Sequence, residues 1–520
     1  MYLLKRAAAF AALFLFCSTV IAAAQDVMLT SRDGKIEVAG TLLGFDGEFY
    51  RVQTDFGELT FDGSGVLCTG PGCPNLDNYV AELQISGSAT MGAVLMPALL
   101  EAFGQRAGFT TTREDMEAGS FVYHLHGERD GELAASFAFR ATNTDEGFAD
   151  LLADEADVVM ALREIRSQER INAREAGMGD LTGANRSRVL ALDAIVPVVA
   201  PSNPVDRISV LDLARIYSGR IVSWKDLGGP DAPIEMHLPD EGNGLAQAIV
   251  DQIMTPAKLE LAEGIIRHRF PADLSDAVAK DSFAIGLTSF AEQRNTKMLA
   301  LAGTCGFALS ASRRTIKTED YPLTAPMFLY FPARRLPQIA REFLAFTRSP
   351  AAQVVIRRSG FVDQGPEEIP VDEQGNRFTN AIATAGFETS LDELQRMVTT
   401  LAPMQRLTVS FRFEAGSIRL DAQSRSNIQQ LARAMEQGQY DARQILFVGF
   451  SDGEGPAAAN RDIALQRAQA VSRAVLAAAV TANPERIDIG VEAFGEALPM
   501  ACDDSAWGRQ ANRRVEVWVR

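Results

Sequence analysis

An acid, an amide and a cation in the last hundred residues have spacings that would place them around one cleft. Asp452 follows an apolar run at residues 445–448 that predicts a strand. Asn460 and Arg467 lie seven residues apart, so they share one face of the helix predicted there. Such converging groups could hold a ligand that carries an ammonium and a carboxylate on one carbon, through charge-assisted hydrogen bonds. The alternative is that Asp452 caps the helix and Arg467 forms a solvated surface pair.

The sequence around these residues resembles the OmpA-like peptidoglycan-binding family. The motifs that carry the resemblance are Gly-Phe-Ser-Asp-Gly-Glu-Gly at 449–455, Gln-Arg-Ala at 466–468 and Asn-Arg-Arg-Val-Glu at 512–516. The resemblance implies that Asp452 and Arg467 bind the diaminopimelate of the peptidoglycan stem peptide. The further contacts expected at this site are Ser451, Asn460 and Arg513.

A second polar segment lies at residues 86–90, Ser-Gly-Ser-Ala-Thr, between a predicted strand and a predicted helix. The hydroxyls of Ser88 and Thr90, together with the backbone N–H groups of a helix N-terminus, form an arrangement suited to an anion. Serine and threonine are also ordinary helix caps, so this segment alone indicates little about a ligand.

Residues 81–362 resemble the periplasmic phosphate-binding proteins of ABC transporters. The resemblance implies two α/β lobes that close at a hinge on an oxyanion such as phosphate. The runs that carry it include Leu-Asp-Ala-Ile at 192–195, Ile-Tyr-Ser-Gly-Arg-Ile at 216–221, Trp-Lys-Asp at 224–226, Ala-Ile-Gly at 284–286 and Gly-Phe-Val at 360–362.

The ligand loops of this region depart from the family. Asn243 and Leu245 stand where the family has a serine and a threonine, Pro239 where it has an arginine, and Leu162 where a hydroxyl is usual. Weak phosphate binding is therefore expected. Arg163 either supplies the cation or pairs with Glu164 or another nearby acid. The anion-binding residues predicted from the remaining donors are Ser88, Thr90, Thr144, Arg163 and Asn243.

Two other function classes remain open beside a non-enzymatic binding protein without a cofactor. An enzyme acting on the wall would need catalytic groups, but no histidine falls in a metal-ligand or Ser/His/Asp pattern. His124 and His126 could offer one face of a strand to a metal, although a surface pair is favoured. The third class is a cell-envelope scaffold whose receptor fold binds a protein or another small ligand.

The first residues have the pattern of a secretory signal peptide. Lys5 and Arg6 precede an apolar run at 7–21, and three alanines at 22–24 mark a cleavage point. We therefore expect a periplasmic protein, and no later stretch is long and apolar enough to span a membrane. The formal charge of −17 becomes −19 once Lys5 and Arg6 are removed, which disfavours nucleic acid or anionic lipid as a partner.

The periodicity along the rest of the chain predicts a multidomain α/β protein. Alternating residues with Asp-Gly turns predict short strands near the N-terminus, and strand-like runs between amphipathic helices predict a mostly parallel sheet in the middle. The last domain is expected to have the order β-α-β-α-β. The predicted segments are a signal peptide at 1–24, a small β-barrel or meander at 25–76, the two-lobed domain at 81–362, a linker with a helix at 363–404 and an OmpA-like α/β sandwich at 405–520.

Four cysteines remain after export, and an oxidising compartment permits disulfides between them. Cys68 and Cys73 flank Thr-Gly-Pro-Gly, a turn-forming run that would bring the two together, so a local bridge is predicted. Cys305 and Cys502 either pair across domains or stay buried and reduced, and their spacing does not distinguish the two.

Overall fold

The computed structural model describes residues 26–520 except 77–78, 117–118, 128–130, 184–185, 304, 306, 387, 414–416 and 418. The predicted signal peptide, residues 1–24, lies outside the described residues. Within the described part of the chain, no helix combines the length and the hydropathy that crossing a membrane requires.

The N-terminal strands form a five-stranded antiparallel sheet in the order β4-β3-β2-β1-β5. Val27, Leu29, Tyr50 and Val52 alternate along their strands and form its small core. Strands β1 to β4 form a meander, one of the two forms predicted, while β5 returns to pair with β1, and the Cys68–Cys73 disulfide forms at its end as expected. The strands are β1 Val27–Ser31, β2 Glu37–Phe45, β3 Phe49–Thr54, β4 Gly57–Asp62 and β5 Val66–Thr69.

The middle domain is built on a large curled sheet covered by helices. The strands of the domain are β6 Ala81–Ser88, β7 Phe109–Asp115, β8 Ser120–Gly127, β9 Leu133–Thr142, β10 Val158–Ala161, β11 Ser187–Val199, β12 Arg207–Ile208, β13 Glu235–Pro239, β14 Ile266–His268, β15 Ala284–Ser289, β16 Lys297–Met298, β17 Ala300–Ala302, β18 Ala308–Leu309 and β19 Thr324–Tyr330. The helices are α1 Met96–Ala107, α2 Thr144–Leu152, α3 Ser167–Glu175, α4 Val210–Tyr217, α5 Gly244–Ile249, α6 Thr255–Ala257, α7 Pro271–Val278, α8 Arg313–Lys317, α9 Gln338–Phe346 and α10 Pro350–Arg358.

The expectation of mostly parallel strands in this domain was wrong. The large sheet has the order β14-β13-β15-β11-β19-β10-β6-β9-β8-β7 and mixes parallel with antiparallel pairs. The reason is β11, a long strand that pairs antiparallel with β19 along Ser187–Ala194 and with β15 along Ile195–Val199. The chain crosses between the two lobes along β11 and returns along β19, so these strands form the hinge.

The C-terminal domain is a sheet of order β20-β21-β24-β22-β23. The expected order of elements missed β23 and α15. Its elements are β20 Glu368–Ile369, α11 Gly375–Thr384, α12 Leu391–Leu401, β21 Gln405–Arg412, α13 Ala422–Glu436, β22 Gln444–Phe450, α14 Ala457–Ala478, β23 Asp488–Gly495, α15 Ala506–Asn512 and β24 Arg514–Val519.

Both faces of this sheet are covered, because its strands are apolar on both sides. Along β22, Ile445 and Phe447 face α13 and α14, whereas Leu446 and Val448 face α12. The segment 363–404, expected to be a linker, supplies this second layer through α11, α12 and the edge strand β20. The helix predicted at 391–401 is present with those bounds.

A buried ion cluster joins the middle and C-terminal domains. Arg406 donates to both carboxylate oxygens of Asp320, at 2.6 and 3.0 Å. Glu516, fully buried, accepts from Arg514 at 2.7 Å and from Arg377 at 2.5 Å. Burial favours a raised pKa for Glu516, but the three arginines outweigh it and hold the pKa well below its ordinary value.

A disulfide between Cys305 and Cys502 spans the same interface. The sequence left open whether these cysteines pair across domains or stay reduced, and in the structure they pair across domains. The backbone N–H of Cys305 lies 3.1 Å from Cys502 Sγ, and the turn beside it contains Gly303, where a Cβ would stand 2.4 Å from that sulfur.

We expect Glu516→Gln to lower the free energy of unfolding of the C-terminal domain at pH 7 by about 3–5 kcal/mol, because it leaves buried arginines uncompensated. The measurement is urea unfolding followed by tryptophan fluorescence, with the exposed Glu485→Gln as control. The pKa of Glu516 is lower in the folded protein than in the unfolded chain. Ionised Glu516 therefore stabilises the wild-type fold at pH values above the unfolded pKa, and this stabilisation declines as the pH falls below about 4. Equal stability of the two variants at pH 7 would contradict the role of Glu516.

We expect Cys305→Ser/Cys502→Ser to lower the free energy of unfolding by roughly 2–4 kcal/mol, because this bridge closes a sequence separation of 197 residues. Cys68→Ser/Cys73→Ser is the matched control, since its separation is 5 residues and the entropy of loop closure grows with length. Thermal unfolding of both variants under non-reducing conditions measures the difference. A larger loss in the control would refute the argument.

Candidate ligand-binding sites

Three buried hydroxyls meet where β6 and β9 end. Ser88 lies opposite Thr142 in the parallel register of the two strands, and Thr90 follows in the first helical turn. The hydroxyl oxygens of Ser88, Thr90 and Thr142 are buried, and none has a hydrogen-bond partner within the described protein. Unsatisfied buried donors are costly, so this cluster is suited to a ligand that accepts hydrogen bonds.

Three helix N-termini surround these hydroxyls. The chain becomes helical at Ala89, α2 begins at Thr144, and α5 begins at Gly244 on the opposite lobe. The lobes are in contact here, because a Cβ at Gly244 would lie 3.3 Å from Ser88 Oγ and 3.5 Å from Leu162 Cδ1. Helix N-termini favour negative charge, so they add to the preference for an anion.

Two of the predicted donors instead hold the loops in place. Thr144 Oγ1 accepts a hydrogen bond from the backbone N–H of Leu162 at 3.1 Å. Asn243 Oδ1 accepts from the N–H of Leu245 at 2.9 Å and caps α5. The two residues therefore support the site without presenting these oxygens to a ligand, and Thr142 takes the place predicted for Thr144.

Arg163 pairs with acids, which is the alternative that the sequence left open. Its guanidinium donates to Glu169 at 2.6 and 2.9 Å and also to Asp145. Asp251, on the opposite lobe, lies 3.9 Å from Arg163 Nε and accepts from Arg166 at 3.1 Å. The charge of Arg163 is therefore balanced by carboxylates from both lobes, and its role as the anion's cation stays a prediction.

In the C-terminal domain, Ser451 and Asp452 follow β22 at the end of the sheet. Asp452 accepts a hydrogen bond from Arg513 at 2.5 Å rather than from Arg467. The hydroxyl of Ser451 is buried and has no partner among the described residues. The sequence therefore placed the acid correctly, but the structure gives it Arg513 as its direct partner.

Arg467 and Asn460 lie on the same face of α14, as predicted, and both are buried. The guanidinium of Arg467 stacks on Phe413, 5.1 Å from the ring centroid, and its Nε has no partner in the described structure. Burial and the nearby Arg513 lower the pKa of Arg467, whereas Asp452 opposes this shift. A carboxylate ligand would satisfy this group.

Glu496 belongs to the same cleft, although no role was predicted for it. Its Oε2 accepts from Asn460 Nδ2 at 3.0 Å and so orients the amide. Glu496 was missed because it acts through Asn460, which lies on another element. The sequence signal for Glu496 is the Gly495-Glu496 pair, which belongs to the resemblance to the OmpA-like family, and Gly495 is one of the positions with positive φ. From the sequence, Thr142 is a loop residue that could donate to the anion, together with Asn143 and Thr144.

Comparison with protein families divides the chain as follows. A model described as a PBP superfamily domain matches residues 75–351, and a model of the OmpA family matches residues 412–513.

Curated relatives match the middle of the chain. The phosphate-binding protein PstS of Staphylococcus haemolyticus is 25% identical over 222 residues, which are 41% of this chain and 67% of that protein. PstS of Borreliella burgdorferi is 20% identical over 197 residues, 37% of this chain and 71% of its own length. Among solved structures, an ABC-type phosphate transport receptor from Vibrio cholerae aligns with a TM-score of 0.42 and 20% identity, covering 54% of this chain and 99% of the receptor.

Proposed function

Because the chain belongs to the PBP superfamily and carries an OmpA family domain, we propose that it is a non-enzymatic periplasmic binding protein held on peptidoglycan. The receptor domain binds a small oxyanion in the cleft between its lobes. The C-terminal domain binds the diaminopimelate of the wall. The relatives named PstS support an oxyanion as the ligand class.

The observation that carries the proposal is the presence of buried polar atoms without partners at both sites. At the receptor site these are the hydroxyls of Ser88, Thr90 and Thr142, and at the wall site they are Ser451 Oγ and Arg467 Nε. All of these can donate a hydrogen bond, so both sites are suited to ligands with negatively charged oxygens.

The two sites differ in the charge that they offer. At the wall site, Asp452 attracts an ammonium, while Arg467 and Arg513 attract a carboxylate, which matches the two groups that diaminopimelate carries on one carbon. The receptor site offers neutral donors and helix N-termini, since Arg163 is neutralised by its acid partners. An oxyanion there is held without a free cation, so we infer weak binding.

We expect the protein to co-sediment with purified diaminopimelate-type peptidoglycan, and Asp452→Ala or Arg467→Ala to reduce the bound fraction at least about tenfold, since each removes a charge-assisted contact. Asp462→Ala and Arg473→Ala are matched controls on the exposed face of α14. Undiminished sedimentation of both site variants would refute the wall-binding proposal.

We expect phosphate titrated into the full chain to give little heat at micromolar concentration and a weak, saturable signal near millimolar. Each hydrogen-bond donor to phosphate that the cleft lacks weakens the binding free energy by roughly 1–3 kcal/mol, and by more where the donor would be charged. Ser88→Ala should abolish the remaining signal, whereas Ser310→Ala, which lies away from the cleft, should not. A tight stoichiometric isotherm would contradict the inference of weak binding. Complete absence of heat would favour the alternative of a scaffold that binds a protein or another small ligand.

A further inference from the structure

A second cavity, of about 290 Å³, lies between the receptor domain and the C-terminal domain. Tyr321 and Phe328 form aromatic walls on the receptor side, and Trp507 of α15 forms one on the other side. Leu162 and Arg163 of the receptor's ligand loop line one edge of this cavity, whereas Ser88, Thr90, Thr142 and Asp452 do not, so it adjoins the receptor cleft without including those four residues. Its size is near the lower end of the range for ligand pockets, roughly 300–1,000 Å³, which indicates a small ligand.

Gln423 presents an unsatisfied acceptor at this cavity. The side chain is 3% exposed, and Gln423 Oε1 has no hydrogen-bond partner among the described residues. Its orientation follows from its neighbours, because Asn427 Nδ2 donates to the carbonyl of Ser410 at 2.8 Å. Asn427 Oδ1 therefore faces Gln423 and accepts from Gln423 Nε2 at 3.0 Å. The free atom of Gln423 must then be the oxygen.

Two carboxylates, Glu319 and Asp421, line the same cavity. Within the described part of the chain, the Glu319 carboxylate accepts one hydrogen bond, a long one of 3.5 Å from Asn427 Nδ2, and its backbone has a φ of 56°, in the left-handed region unusual for a residue with a side chain. Asp421 caps α13 through one oxygen.

The one arginine of the C-terminal domain that lines the cavity has its donors directed elsewhere. Arg412 donates to the carbonyl of Ala511 at 2.8 Å, to that of Gln510 at 3.3 Å and to that of Glu319 at 2.5 Å. The donors of Arg412 are therefore not free for a ligand, and the unpaired oxygen on the C-terminal side of the cavity is Gln423 Oε1, while Arg163 Nε lies on the receptor side without a hydrogen-bond partner among the described residues.

The geometry points to a binding site for a small primary amine, whose ammonium donates to Glu319, Asp421 and Gln423 Oε1 while its carbon chain packs on Tyr321 and Trp507. An ammonium has three donors and no acceptor, which complements this set of oxygens. Aromatic faces also attract a cation.

The titration of Glu319 supports the assignment. Burial and the neighbouring Asp421 raise the pKa of Glu319 to about 8. The charged groups that face it are Asp320 on its own segment, Arg412 on β21 and Asp421 at the start of α13, while Arg163 and Glu164 line the cavity from the receptor side. A bound cation favours the ionised carboxylate, so binding at pH 7 should release a proton and strengthen between pH 6 and pH 8.

The test is calorimetric titration of the full chain with putrescine, and with 1,4-butanediol as the uncharged probe of similar shape. We expect saturable binding of putrescine, none of butanediol, and heats that vary with the ionisation enthalpy of the buffer. Glu319→Gln should weaken binding at least about tenfold, the loss of one charge-assisted contact. The exposed Glu263→Gln is the matched control in the same domain.

Gln423→Leu provides a second variant in which the charge is unchanged, and it should weaken binding several-fold while removing an unsatisfied buried acceptor. Melting temperatures near that of the wild type verify that both variants are folded. No heat with millimolar putrescine, equal binding of butanediol, or unchanged affinity in both folded variants would overturn the assignment.

Discussion

The arrangement of the whole molecule depends on burying Glu516 and Asp320 among Arg377, Arg406 and Arg514. Taking five charges out of water is costly, and the cost is offset only where each charge meets an opposite one in good hydrogen-bond geometry. Arg406 lies at the centre, because it contacts Asp320 of the middle domain and lies 3.4 Å from Glu516 of the C-terminal domain. Neither domain alone completes this network, so the two domains are held at one orientation.

This docking brings the C-terminal domain beside the loop of the middle domain that contains Arg163. Glu164 follows Arg163 in that loop, and its carboxylate accepts a hydrogen bond at 2.7 Å from the N–H of Ala422, in the first turn of α13. Arg163 and Arg166 meanwhile contact Asp251 on the other lobe. Neighbouring residues of one loop therefore contact both the other lobe and the C-terminal domain.

Two apolar side chains limit the hydrogen-bond donors of the cleft. Leu162 and Leu245 are buried near Ser88 and Gly244, where a polar ligand loop would carry hydroxyls. The hydroxyls that remain belong to the ends of β6 and β9 and lack partners. A neutral site of this kind discriminates by hydrogen-bond geometry and helix dipoles rather than by charge, so it is expected to bind an oxyanion loosely.

The sequence by itself determined the features that depend on local sequence pattern. These are the alternating strands of the meander, the helix at 391–401, the short Cys68–Cys73 bridge, and the shared helical face of Asn460 and Arg467. Periodicity and spacing report on neighbours along one element. Only the tertiary structure decided which groups meet across elements: Asp452 with Arg513, Arg163 with three carboxylates, and Cys305 with Cys502. Such pairings depend on where distant strands and helices pack, because the residues next to an acid or a cation in the sequence do not indicate which group it will contact.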